Sequence, residues 1–403
     1  MTDPVSFNPL DPAVRRDPFA AYARARREAP ALIHTGLPIR LVSVFRYDDC
    51  QAILRDAQTW SSEFQVITQA AGQEGPPRRS MLGSDPPAHT RLRGLVNKAF
   101  TPRMIQRLEP RMHEIANELL DAALEQGDVD LVQALSYPLP VTVIAEIIGI
   151  PAEDREMFKR WSDEAVANLG LVFLGGFDPE RAQRQLRLFD AMREYFIPLA
   201  EERKRRPCED LLTGLVQAEH EGSKLDLEEM LSMLVLLLVA GNETTTTLIG
   251  NATLELLAHP GELKRLRDDP GLLPSAIEEV LRFASPVQFD PRRATRPLVL
   301  HGVEIREDDF VLSWLGSANR DEQNFERPET FEITREKNPH LAFGFGTHYC
   351  LGANLARLEA RVAIGALLAR TSRFERRGDE LLPLHPSPVF RAVTQLPLRL
   401  VAA

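Results

Sequence analysis

The sequence predicts a mainly α protein with small β-sheets, an α+β chain folding as a single large domain over residues 1–403. Three observations predict it. Apolar residues recur at helical spacing through a helical core spanning about residues 88–285. Short β-branched, apolar runs are confined to a minor β region at about 30–60 and 286–315. The 30 prolines are scattered as punctuation, with no internal repeat, low-complexity tract or long charge block to mark a linker.

Taken in order, Leu41 to Phe45 reads as a strand, and Tyr47-Asp48-Asp49 leads into a helix near Cys50 to Arg55. Met112, Ile115, Leu119, Leu120 and Ala123 share one helical face, and Pro110 is expected to interrupt that helix. The longest periodic stretch runs from Leu227 to Ala258. Asp226 can cap its start and His259-Pro260-Gly261 ends it, giving about 48 Å of helix at about 1.5 Å per residue. Ser275 and Glu278 have capping-box spacing, predicting a helix that carries Glu279 and Arg282. After Pro286 come strand-like runs at Leu298 to Leu300, Val303 to Ile305 and Phe310 to Trp314, a second small sheet. Thr394 to Val401, around Pro397, is expected to add an edge strand.

Composition excludes several classes. With 44% hydrophobic and 26% charged residues the chain is a folded globular protein. Its 48 Lys plus Arg against 58 Asp plus Glu leave a formal charge of -10, which repels polyanions and predicts no nucleic-acid partner. Cys50, Cys208 and Cys350 form no CxxC and no metal-ligand spacing, which suits a reducing compartment. Met1 to Leu10 has no basic flank or apolar core resembling a secretory signal. The longest apolar run, Met230 to Gly241, falls short of the roughly 20 residues a membrane span needs. A cytoplasmic, monomeric protein with no membrane contact is expected.

The segment most informative for chemistry is Phe343-Gly344-Phe345-Gly346-Thr347-His348-Tyr349-Cys350-Leu351-Gly352. Its glycines make a tight loop presenting one sulfur just before an apolar helical pattern, where a helix N-terminus favours a thiolate. A lone cysteine ahead of a helix is more often a small buried hydrophobe; the glycine frame tips the balance toward a metal ligand or nucleophile. The loop matches F-G-x-G-x-H-x-C-x-G at every fixed position and so resembles the haem-binding loop of the cytochrome P450 family.

Distant segments carry the same resemblance. Glu279-Val280-Leu281-Arg282 matches the family's E-x-x-R and places a carboxylate and a guanidinium one helical turn apart. In the family this structural ion pair locks to a segment that Asn319-Arg320-Asp321 and Phe325 to Phe331 resemble here. Thr330 stands where many members carry arginine, leaving Arg327 or Arg320 as the substitute third partner. Ala240-Gly241-Asn242-Glu243-Thr244-Thr245 is similar to the family's A/G-G-x-D/E-T. Poor helix formers in mid-helix cost several tenths of a kcal/mol each. A Thr244 hydroxyl bonded to the Ala240 carbonyl would open a groove beside the small residues. Close packing of a neighbouring helix is the alternative use of those residues.

His89 and Arg93 lie at i, i+4 on one predicted helical face; in isolation they read as a solvated basic face. The resemblance implies that they bind haem propionates together with His348 and with Arg292, for which Arg293 is the fallback. It further implies haem b (iron protoporphyrin IX) as cofactor, Cys350 as the metal ligand, and Phe343, Gly344, Gly352, Ala240 and Gly241 as cofactor-binding residues. Glu243 and Thr244 become the catalytic pair that relays protons.

The activity so implied is that of a haem-thiolate monooxygenase. It takes O2 and inserts one oxygen atom into a C–H bond of a hydrophobic small-molecule substrate, the other atom leaving as water. Electrons come from a separate ferredoxin and NAD(P)H-fed ferredoxin reductase, since the chain carries no flavin or iron–sulfur motif. Lys98, Arg103, Arg107, Arg111 and Arg361 are candidates for docking that partner, or a merely solvated face. Substrate contacts are expected from Ser61 to Met81, Val166 to Phe177, Leu236 to Thr244, Val287 to Arg292 and Phe390 to Thr394, with Gly170, Gly175 and Gly176 in a mobile lid. The alternatives are a peroxide-driven haem peroxygenase, a non-catalytic haem sensor or carrier, and a Cys350 nucleophile paired with His348.

Overall fold

The computed structural model describes residues 7–37, 39–64, 80–166, 179–220 and 222–403. Helices dominate the middle of the chain, and the longest runs Leu227–Ala258. Its start is fixed by a reciprocal capping box: the Asp226 side chain accepts from the Glu229 amide at 2.8 Å, while Glu229 accepts from the Asp226 amide at 3.1 Å. This helix is buried along most of its length. It packs on the helices Pro138–Ile148, Arg155–Val166, Leu273–Phe283 and Ala353–Arg370, which gather the main hydrophobic core around it.

Helix Pro102–Gln126 is continuous through Pro110, so the expected interruption does not occur. Thr101 caps its start by accepting from the Met104 amide, and Met112, Ile115, Ala116, Leu120 and Ala123 bury one stripe. That stripe is packed against Ala353–Arg370, the other main contact of this helix. Burial of so many apolar side chains outweighs the single ladder bond that proline removes.

The two β regions foreseen as separate form one five-stranded sheet, in the order Ala31–His34, Leu41–Val44, Phe310–Ser313, Asp290–Ala294, Trp60–Ser61. Phe310–Ser313 pairs in parallel with Leu41–Val44, Phe310 opposite Leu41. Both strands are buried throughout, so each needs a neighbour on either side. Leu298–Leu300 and Val303–Ile305 form a separate hairpin. The C-terminal strand, Pro397–Ala402, is central rather than at an edge. It pairs with Thr371–Arg376 on one side and Asp128–Asp130 on the other. Pro397 sits at the strand's first residue, where its missing N–H is tolerated.

Candidate active site

The cysteine loop packs its Gly346–His348 turn on helix Tyr47–Arg55 and leads into helix Ala353–Arg370. Gly344 and Gly346 both have φ of 70°, in the left-handed region, and the Cys350 amide donates to the Phe343 carbonyl at 2.9 Å, closing the loop. Arg55 lies over the Phe345 ring at 5.1 Å and Arg357 over Phe343 at 4.4 Å, so the loop is gripped from two sides. Gly352 is the N-cap of the following helix. Burial pushes the Cys350 thiol up, with the Gly352 amide, Arg93 and Arg357 pulling the other way. A thiol held up in this way is a poor free nucleophile, which weighs against the nucleophile alternative.

His89 lies in the first turn of helix Ala88–Ala99 and is 2% exposed, which rules out a solvated face for it. Its ring stands 4.1 Å from that of His348, centroid to centroid. Among the described residues neither nitrogen of His89, nor His348 Nε2, nor Arg292 Nη2 has a hydrogen-bond partner, although all are buried. Burial, then Arg292, His89 and Arg93, drives His348 down to about 3; burial and Arg93 also lower His89. Of the two arginines proposed, Arg292 is the one facing this cluster; it is 4% exposed and anchored by Asp290 at 2.6 Å and the Pro291 carbonyl at 2.7 Å. Arg293 turns to Asp308 instead, at 2.5 Å. Buried donors left without acceptors are costly and need an explanation. Two carboxylates on one flat ligand beside Cys350 meet that need, so these residues fit haem. No group of three His, Cys, Asp or Glu that would make an all-protein metal cage occurs among the described residues.

On the long helix, Thr244 Oγ1 donates to the Ala240 carbonyl at 2.7 Å, the bond expected from the sequence. A Cβ on Gly241 would meet Ile144 at 3.5 Å, so close helix packing also uses this small residue. Asn242 donates to Ser162 Oγ at 2.9 Å and is wholly buried. Glu243 is buried, and burial followed by the Asp163 charge raises its carboxyl to about 7. Its nearest cationic-type neighbour is His385, Nε2 to Oε1 at 3.3 Å. Nothing in the sequence pointed to His385, which lies more than a hundred residues from Glu243 in an irregular segment.

Glu279 and Arg282 are both fully buried and joined by two 2.8 Å hydrogen bonds. The capping box assigned to Ser275 and Glu278 does not form. Pro274 lies in the first turn of Leu273–Phe283, Leu272 is the N-cap, and Ser275 Oγ donates to the Leu272 carbonyl. Glu278 instead accepts from Arg357 at 2.6 Å and is held down to about 2; burial opposes the stronger combined pull of His340 and Arg357. The third partner of the pair is neither Arg327 nor Arg320, which bond Glu332 and Glu329. It is Arg335, whose Nε stands 3.1 Å from Glu279 Oε2. Arg335 escaped the sequence reading because it reaches Glu279 from just after a turn at Ile333–Thr334, in a segment without periodicity.

Of the basic residues considered for docking, Arg111 is engaged by Glu146 at 3.2 Å, Arg107 stands 3.9 Å from Glu209, and Arg361 Nε is buried. Of the residues expected to line the pocket, Phe64 sets its ring 6.1 Å from that of Phe310, while Val66, Ile67, Leu169, Leu171, Val172, Phe173 and Leu174, and the glycines Gly170, Gly175 and Gly176, lie outside the described residues. Val239 and Val287 pack against the apolar cluster that contains Phe390, and Val287 also pairs with Phe390 through an isolated antiparallel bridge.

A helical fold with a cysteine on a glycine-framed loop, together with buried donors that lack protein acceptors among the described residues, fits a haem protein. Comparisons with known proteins carry this further. The cytochrome P450 family model matches residues 17–270 and 271–396. Putative cytochrome P450 YjiB of Bacillus subtilis (strain 168) is 41% identical over 363 residues, covering 89% of this chain and 88% of that protein. Cytochrome P450 monooxygenase PikC of Streptomyces venezuelae is 40% identical over 393 residues, covering 95% and 91%. The crystal structure of CYP109E1 from Bacillus megaterium in complex with testosterone has a TM-score of 0.84 at 38% identity, covering 95% of this chain and 99% of that one. This chain belongs to the cytochrome P450 family. It is a haem-binding monooxygenase, an oxidoreductase, with bacterial relatives.

Proposed function

We propose that this enzyme inserts one oxygen atom of O2 into a C–H bond of a hydrophobic small molecule. Haem b is held through Cys350, and electrons arrive from a separate ferredoxin and ferredoxin reductase. The observation that carries the reading is the set of buried donors on His89, His348 and Arg292 that lack protein acceptors beside the cysteine loop. They would hold the two propionates with Arg93, and Cys350 would supply the sulfur ligand. The absence of a C-x-x-C-H sequence supports a non-covalent haem b. When bound, the haem supplies the oxygen-activating redox chemistry.

The rest of the chemistry belongs to the chain. Ala240, Gly241 and Thr244 line one face of the long helix, and the Thr244 hydroxyl, tied to the Ala240 carbonyl, keeps its oxygen lone pairs available to a water. Glu243, next in sequence, holds a proton at its carboxyl below about pH 7 and loses it above. A group poised near the operating pH is suited to passing protons. An apolar substrate site is supported by the Val239, Val287 and Phe390 cluster and by the steroid bound to CYP109E1. The reading includes a cytoplasmic, monomeric, single-domain protein. The long helix, apolar enough to span a bilayer, has 61% of its apolar window buried inside the fold, which supports a core role.

The test is turnover fed by NAD(P)H through ferredoxin and its reductase. Thr244→Ala is expected to lower product formation on the order of 100-fold while NAD(P)H consumption continues, the scale of a lost proton-transfer group. Because Glu243 is protonated below about 7, product formed per NAD(P)H is expected to fall as pH rises through about 7. Glu243→Gln should flatten that profile. Full coupling in Thr244→Ala, or product formation without any electron donor other than peroxide, would contradict the reading.

A further inference from the structure

His385 is held from several directions. Its amide donates to the Ala392 carbonyl at 3.0 Å, its carbonyl accepts from Arg15, and its ring meets Phe390 edge-on at 5.2 Å. The Ser387 amide donates to its Nδ1 at 3.1 Å. A neutral imidazole has one donor nitrogen and one acceptor, so an occupied Nδ1 lone pair puts the proton on Nε2. That nitrogen stands 3.3 Å from Glu243 Oε1, with the two side chains 10% and 12% exposed.

We propose that His385 is a positioning residue for Glu243: its Nε2–H, within reach of Glu243 Oε1, turns onto that oxygen, which fixes the carboxyl and leaves Oε2 as the oxygen that takes up and releases the proton. The inference rests on the reading of Glu243 as a proton-passing group and adds the residue that orients it. Burial keeps the His385 ring neutral by lowering it to about 4, so the ring acts as a donor of fixed direction rather than as a cation. The other groups facing the pair are known. Asp163, on helix Arg155–Val166, faces Glu243, and Tyr137 donates to Asp163 at 2.6 Å; Lys159 and Glu156 act on Asp163 in turn. Arg15, on helix Pro12–Arg16, faces His385. None of these supplies Glu243 Oε1 with a hydrogen bond among the contacts of the described residues, and His385 Nε2, 3.3 Å away, is close enough to do so after a small rotation.

The experiment uses the holoenzyme in the reduced, carbon-monoxide-bound state. Infrared spectra across pH give the titration midpoint of Glu243, its band being the one lost in Glu243→Gln. His385→Phe keeps the ring contact with Phe390 and removes the donor; His385→Gln keeps a donor without a titrating ring. A donor to a carboxylate favours its charged form, so His385→Phe is expected to raise the Glu243 midpoint by about one pH unit. His385→Gln should return it to within a few tenths. The midpoint of product per NAD(P)H should move with it, with substrate KM unchanged. Ring 15N shifts of His385 are expected to report a neutral ring protonated at Nε2. A midpoint unmoved in His385→Phe, or a ring protonated at Nδ1, would overturn the proposal. An infrared midpoint that moves while coupling does not would uphold the positioning and sink the proton-passing role of Glu243 instead.

Discussion

Replacing Arg282 with leucine is expected to cost about 3–5 kcal/mol of stability, a large part of the about 5–15 kcal/mol that holds a typical fold. Arg282 is wholly buried. It donates twice to Glu279, and to the carbonyls of Asn319, Pro328 and Thr330 at 3.0, 2.9 and 3.1 Å. Glu279 in turn accepts from the Glu332 amide at 2.9 Å, from Arg335, and from Asn338 Nδ2 at 3.2 Å. Removing Arg282 takes two hydrogen bonds from Glu279, which keeps only Arg335 as a charged partner, and leaves the Asn319 and Pro328 carbonyls without this donor in a dry interior. Glu279→Gln removes a charge but keeps an acceptor, and should cost less. The double replacement Glu279→Met with Arg282→Leu should cost less than the sum of the single ones, since both charges of the pair go together and Arg335 keeps the carbonyls of Glu326, Arg327 and Thr330 as acceptors. Urea midpoints measured on all the variants check this. A loss below about 1 kcal/mol for Arg282→Leu would show that the pair does not clamp the segment leading to the cysteine loop.

The second large effect is expected at Gly346. A Cβ there would stand 2.6 Å from the Leu54 carbonyl oxygen and 3.0 Å from Arg55 Cα, both backbone atoms of or beside helix Tyr47–Arg55. Its φ of 70° adds strain of about 1–3 kcal/mol for any residue with a side chain. Gly344 shares the φ, but the nearest atom to its Cβ would be Asp290 Oδ2 at 3.8 Å. Gly352 has φ of −83° and open space around it. Haem content per polypeptide is therefore expected to fall steeply in Gly346→Ala, moderately in Gly344→Ala, and little in Gly352→Ala. Equal haem content in Gly346→Ala and the parent would mean that the loop does not depend on its seat against this helix.

Much of this was legible because the relevant forces are local. Asp226 and His259-Pro260-Gly261 mark both ends of the long helix, and the strands Leu298–Leu300 and Val303–Ile305 are bounded by turn residues next to them in the chain. The glycine-framed cysteine is likewise a local pattern. What was misread depends on distant partners. Arg335 reaches Glu279 from the end of a turn, and the C-terminal strand becomes central only because Asp128–Asp130, some 270 residues earlier, pairs with it. Pro110 stays within its helix because the stripe around it is buried by Ala353–Arg370. Ser275 and Glu278 have the spacing of a cap, yet Pro274 opens the helix earlier and Arg357 claims the carboxylate. His385 was silent for the same reason, since only the fold brings it to Glu243.

The account turns on Cys350 as the group that holds the haem. Recording the absorbance of the reduced, carbon-monoxide-bound protein beside its Cys350→Ala variant tests this most directly. The account predicts a thiolate-ligated haem spectrum in the native protein and its complete loss in the variant, whether or not haem is still taken up. A native protein that stays colourless with haem, or a variant that keeps the same spectrum, would contradict it.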